Sequence, residues 1–269
     1  MSAGGLTRQV AEWVAATKFE DLPRRVVEEA KNQILSVVAA IHAGHFSDFG
    51  RALRRTMKDW SPGKDATIIP LGERTSLHNA IYINSALSAA LEYDDFLFAA
   101  HTGHSAVVAA LALGEKASLS GKQIILCQVL ANEIEGRLGA ALVAAGEPME
   151  ALPACHLVGS AIVAAKAMEL DADTTQAAIG LALLQPIRVL EPAFFGADGR
   201  AIAAASSAPI GVQAAQLAAN GLTCTIDALG HERGRLRSLA EVPLGDVFAG
   251  LGSAWLTETL CYKIYPVHA

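Results

Sequence analysis

A chain of 269 residues, 52% hydrophobic and 18% charged, is long enough for one large core or two modest ones, and its net charge of −6 with no basic stripe excludes a nucleic-acid footprint. The apolar excess is alanine, while aromatics make up only 6%, so closely packed helices are favoured over sheet. No run of eighteen residues escapes polar interruption, so no membrane span is expected. Cys127, Cys155, Cys224 and Cys261 are scattered, with no CxxC and no secretory leader, and read as reduced, mostly buried thiols of a cytoplasmic protein.

In chain order, Val10, Trp13, Val14 and Thr17 mark a helical stripe over Thr7 to Lys18. Asp21 and Pro23 predict a helix start, running to a stop at Gly44. Phe49 to Trp60 reads as a basic helix with Arg51, Arg54, Arg55 and Lys58 on its wet side. Residues 66–72 form the one convincing extended piece, confined to an edge by Pro70. Thr75 or Ser76 then caps a helix from Leu77 to Tyr93.

Further helices are predicted over Ser105 to Ser118, Lys122 to Ala145, His156 to Met168, Thr174 to Leu184 and Arg200 to Asn220. Glu147 and Pro148 lie in a loop, and Gln185 to Gly199, with Pro186 and Gly196, is irregular. Glu232 to Gly245 is the most polar stretch and the best linker candidate, and a last amphipathic helix precedes Tyr262. With no strand-helix alternation and no internal repeat, the fold class is all-α, a bundle of antiparallel helical hairpins forming one domain over 1–269.

Between two Ala-rich helices, Asp94 and Asp95 face His101 and His104 across a short loop. Charged groups are costly to bury unless paired, so chemistry is expected here first. Two acids at a helix C-terminus oppose the macrodipole, which implies either a role in holding an imidazole or a solvated helix end. Either imidazole also suits a cap for the helix at Ser105. Thr102 and Gly103 lead into that helix, where free backbone N–H groups suit a carboxylate. The DDx5HxxH spacing offers carboxylate and imidazole ligands but matches no standard zinc motif, so no metal is expected. Tyr93, Glu92, Asn84 and Glu135 read as structural, and Cys155 as packing.

The segments NAIYINSALSAALEYDD, HTGHSAVVAALALGE, ACHLVGSAIVAAKAMELDADTTQAAIGLA and APIGVQAAQLAANGLT, with the terminal Lys263-Ile-Tyr-Pro266, resemble the N-terminal helical domain of the MmgE/PrpD family. That family includes 2-methylcitrate dehydratases, cis-aconitate decarboxylases and iminodisuccinate epimerases. The resemblance implies catalytic imidazoles at His101 and His156, with Asp94 or Asp95 orienting one of them, and a substrate-binding role for Arg200 with His104, Thr102 and Gly103. Three positions depart from the family pattern: Phe96 replaces a threonine, Thr102 a proline and Arg200 a lysine. Arginine keeps the charge but not the proton-transfer ability of lysine.

The expected activity is a cofactor-independent lyase or isomerase subunit acting on a small di- or tricarboxylate by histidine acid-base transfer. Family members continue into an α+β domain that is expected to be absent here, so a homodimer or a second chain would roof the site. The alternative is a non-catalytic helical scaffold or partner-binding subunit. For Arg200 the bland reading is a surface residue at a helix start.

Overall fold

Apolar stretches built from small side chains let helix axes come close, and this chain exploits that in a nearly all-helical body. The structure is a computed structural model and describes residues 5–60, 62–146, 152–185, 191–194, 198–239 and 245–266. The helices are α1 Gly5–Ala16, α2 Arg24–His45, α3 Asp48–Met57, α4 Leu77–Ala89, α5 Ala106–Ala117, α6 Gly121–Ala145, α7 Pro153–Ala167, α8 Ala172–Leu183, α9 Glu191–Phe194, α10 Gly199–Ala219 and α11 Arg235–Leu239. Glu147, Pro148, Pro186, Gly196 and the 240–244 part of the expected linker lie outside the described residues. Among the described residues no helix is long and apolar enough to cross a membrane.

Helix α7 is apolar all round, and every residue from Pro153 to Ala165 is buried. It packs against α10, α6, α5 and α8. At the α7–α10 crossing, a Cβ on Gly211 would lie 2.2 Å from the Leu157 carbonyl oxygen, so the two backbones meet only because position 211 has none. The contiguous core runs from Val10 in α1 to Phe248 near the C-terminus.

Local signals set most helix starts. Ser76 accepts from the Asn79 N–H, Asp171 from Thr174 and Ser120 from Gln123. Gln123 reaches back to the Ser120 N–H and completes a capping box. Asp21 does not cap α2 as expected: its carboxylate accepts from the Lys18 N–H at 2.8 Å within a 3-10 turn, and Pro23 stands at the α2 cap. The extended piece near 66–72 is half of a hairpin, β1 Ala66–Ile68 against β2 Glu73–Thr75, antiparallel with Thr67 opposite Arg74.

Two further expectations are corrected, one after α4 and one near the C-terminus. Helix α4 stops at Ala89 rather than Tyr93, so Asp94 and Asp95 stand beyond the helix end; β3 Asp95–Phe96 pairs antiparallel with β4 Cys261–Tyr262. The last amphipathic helix is instead a pair of 3-10 turns, Gly245–Phe248 and Leu256–Thr259. Of the cysteines, Cys127 and Cys155 are buried, Cys224 is partly buried and Cys261 is exposed.

A buried ion pair on α6 holds this tail. Glu133 accepts from the Leu256 and Thr257 N–H groups at 2.9 and 2.8 Å, from the Thr257 hydroxyl at 2.7 Å and from Arg137 at 2.6 Å. Arg137 in turn donates to the Ala254 carbonyl at 2.8 Å. The other end of the chain is tied by Asp227, which accepts from the Leu6, Thr7 and Gly230 N–H groups and from the Thr7 hydroxyl. Asp227 thereby caps α1 from more than two hundred residues away.

Replacing Asp227 with alanine is expected to lower stability by about 1–2 kcal/mol at neutral pH. Burial opposes the charged carboxylate, but the Gly230, Thr7 and Leu6 donors outweigh it and hold the pKa below the ordinary 3.8. The contribution is therefore full above that value and is lost as pH falls through the depressed folded pKa. Denaturant unfolding of wild type and Asp227→Ala should show a gap at pH 7 that closes in acid; a gap constant with pH contradicts the assignment.

Candidate functional site

The loop after α4, the first turn of α10 and the residue after β4 converge on one carboxylate. Asp94 is buried, and its Oδ2 lies 2.5 Å from His101 Nδ1, 3.3 Å from His104 Nε2 and 3.2 Å from Arg200 Nη2. Its Oδ1 lies 3.0 Å from Lys263 Nζ. Glu92 joins from the same loop, 2.7 Å from Arg200 Nη1 and 3.4 Å from Lys263. Burial alone would raise the Asp94 pKa, but hydrogen bonds from His101 and His104 prevail and hold it well below the usual carboxylate range.

The three imidazoles form a row, with ring centroids 6.0 Å apart for His101 and His104 and 6.1 Å for His104 and His156. His101 Nδ1 faces the Asp94 carboxylate and the Asp95 carbonyl oxygen, at 3.2 Å. Both accept only, so the network assigns the proton to Nδ1 and leaves Nε2 unprotonated. Burial lowers the His101 pKa, with Asp94 opposing, so the ring is neutral at pH 7. His104 Nδ1 lies 2.7 Å from the Ser88 hydroxyl. His156 Nδ1 lies 2.8 Å from the Ser105 hydroxyl and 3.2 Å from Glu135.

His101, His104, His156 and Arg200 line one narrow cavity, walled on its apolar side by Leu152, Pro153 and Phe194. It is closely filled, with about 10 Å³ left for the centres of water-sized molecules, enough for about one water. Arg200 is buried, and its Nε has no hydrogen-bond partner among the described residues.

Asp95, Thr102 and Gly103 stand behind this cavity rather than in it. Asp95 Oδ2 accepts from Gln33 at 2.8 Å, from the Gly103 N–H at 3.2 Å and from the Thr102 hydroxyl at 3.3 Å. The anion expected at that helix start is thus the chain's own side chain, and the Gly103 N–H is spent on it. Gln33 also bonds Thr102 and Asn132, so a buried amide network fixes the loop from below. Burial raises the Asp95 pKa. Cys155 is packing: burial pushes its thiol up to about 12.

Lys263, Ser105 and Ser88 join the cluster without having been assigned a role from composition or spacing, and Glu92 and Glu135, read from the sequence as structural, join it too. The hint for Glu135 was its place among Leu, Val and Ile on a long helix; Lys263 was visible only within the terminal Lys-x-Tyr-Pro. Asp94, His101 and His104 offer one ligand atom each within 4.8 Å of one another. Arg200 and Lys263 already neutralise Asp94, and their charges oppose a further dication on the same carboxylate.

Similarity to known proteins accords with this arrangement. The MmgE/PrpD N-terminal domain model matches residues 8–243. The chain is 24% identical over 282 residues to a cis-aconitate decarboxylase-like protein of Aspergillus oryzae, covering 97% of this chain and 58% of that one. It is also 24% identical over 279 residues to cis-aconitate decarboxylase of Aspergillus terreus, covering 97% and 57%. The chain therefore spans 57% to 58% of the length of these relatives. With the matched domain covering most of its residues, the chain belongs to the MmgE/PrpD family.

Proposed function

We propose that this chain forms the histidine-bearing part of a cofactor-independent lyase or isomerase acting on a small di- or tricarboxylate, cis-aconitate being the first candidate given what the relatives are named. The observation that carries the reading is the convergence of His101, His156 and Arg200, from three distant segments, on one cavity. An unprotonated His101 Nε2 suits removal of a proton next to a carboxylate, and neutral imidazoles suit proton exchange near pH 7. Asp94 orients His101, Lys263 balances the Asp94 charge, and Arg200, which lines the cavity, anchors a substrate carboxylate.

Binding requires the walls to part, because a tricarboxylate is far larger than one water. Tyr93, Phe98, Ile264 and Tyr265 are exposed beside the β3–β4 ladder, and their apolar surface supports a covering partner, either a second copy or a second chain. The filled cavity also supports the second reading, a helical scaffold that binds a partner without turnover.

Turnover of cis-aconitate and citrate-like acids, followed as carbon dioxide release and as alkene absorbance, separates the two. In the assembled form, His101→Ala and His156→Ala should each lower kcat/KM by about 10²- to 10⁴-fold, and Arg200→Ala should chiefly raise KM. No turnover by any assembled form would leave the scaffold.

The pH profile adds a second check. His101 acts as base only when neutral, and burial lowers its pKa from 6.5. The acid limb of kcat/KM should therefore fall below pH 6.5; a limb at or above that value is incompatible with His101 as the base.

A further inference from the structure

Glu133 and Glu135 lie two residues apart on α6, both fully buried, in opposite chemical settings. Glu133 has a guanidinium, two backbone N–H groups and a hydroxyl. Among the described residues no Lys or Arg pairs with Glu135; its partners are the Ser105 hydroxyl, at 2.8 and 2.7 Å from its two oxygens, and His156 Nδ1 at 3.2 Å. A buried carboxylate without a cation is costly, and the economical state is the neutral acid. Room for the carboxyl is made on α7, where a Cβ at Gly159 would stand 1.7 Å from Glu135 Oε1. Gly159 is one helical turn beyond His156, so the same α7 face carries the imidazole and the hollow for the acid.

Counting hydrogens decides the tautomer. An ionised Glu135 accepts from Ser105 and draws a proton onto His156 Nδ1, which leaves Nε2 bare. A protonated Glu135 donates to Nδ1, directly or through Ser105, and the ring must then carry its proton on Nε2. The Ser105 hydroxyl serves either state, since the Thr102 carbonyl, at 3.2 Å, also accepts from it.

We propose that Glu135 is a positioning residue that holds His156 in its Nε2-protonated form and resupplies the proton that His156 gives up. Burial, with the Asp95 charge adding and Ser105 opposing, raises the Glu135 pKa well above the ordinary range, and burial lowers that of His156. This rests on the reading that His156 exchanges protons with substrate. In the step, the His156 Nε2–H bond breaks as the proton bonds to a substrate carbanion. The Glu135 O–H bond breaks as its proton bonds to Nδ1, so the ring stays neutral and Glu135 is left as carboxylate. After product release, uptake of one solvent proton at Nε2 returns the Nδ1 proton to Glu135, which restores both the acid and the Nε2-protonated ring. His101 and His156 thereby hold opposite roles, acceptor beside an ionised Asp94 and donor beside a neutral Glu135.

The test is NMR of the full chain, with labelled histidine nitrogens and glutamate carboxyl carbons at pH 7. The expected spectrum has His156 protonated at Nε2 and bare at Nδ1, with Glu135 as the acid. Glu135→Gln, whose amide donates to Nδ1 but supplies no proton, should keep that tautomer and lower kcat by about a hundredfold with KM little changed. A wild-type spectrum with His156 protonated at Nδ1, or with Glu135 ionised, overturns the proposal even if Glu135→Gln fails to fold. The expected spectrum without turnover by any assembled form leaves the Glu135 control of His156 standing and removes the lyase reading. Turnover with the opposite tautomer does the reverse.

Discussion

One buried negative charge organises the centre of this molecule. Asp94 is held by His101, His104, Arg200 and Lys263, and those four side chains come from a loop, a helix start and the residue after a two-residue strand. Isolated, a carboxylate so deeply buried would be prohibitive; surrounded, it makes each partner's position depend on the others. Removing any one cation leaves charge unbalanced in a dry interior, so the arrangement is geometrically exacting. Alanine and glycine on the helices around it let the backbones come close enough to bring these groups into register.

Two tiers of buried polar contacts support that centre. Gln33 from α2, with Gln128 and Asn132 from α6, forms an amide network under the loop, and Asp95 joins the two by accepting from Gln33, Thr102 and Gly103. Glu135 stands beneath His156 on the same α6. Helix α6 thus meets the site with acids and amides where its sequence otherwise reads as Leu, Val and Ile. Polar networks of this kind specify a single arrangement, because an unpaired member costs more than an apolar replacement.

What the sequence discloses follows the range of the interaction. Ser76 and Asp171 announce their helices because a cap is satisfied within three residues, and the all-α class follows from composition and periodicity that any short window displays. Asp227 at the start of α1, the β3–β4 ladder and the seat of Lys263 depend on partners far away in the chain, and nothing near them names those partners. Asp21 shows how a local signal misleads: the residue type was right for a cap, but its carboxylate found a nearer donor in Lys18. His101, His156 and Arg200 came together through resemblance, whereas Glu135 had no such pointer and emerges only from the hydrogen bonds it makes.

The clamp of Glu133 and Arg137 on residues 254–257 ties a second buried charge centre to the first. The clamp fixes residues 254–257, and Lys263 reaches Asp94 from the segment that follows this anchored stretch. Loosening either member of the clamp would free the segment that carries Lys263 and leave Asp94 without its ammonium partner. A substitution at Glu133, which is not among the residues lining the cavity, would therefore be felt at Asp94 through the backbone that joins the two buried charge centres.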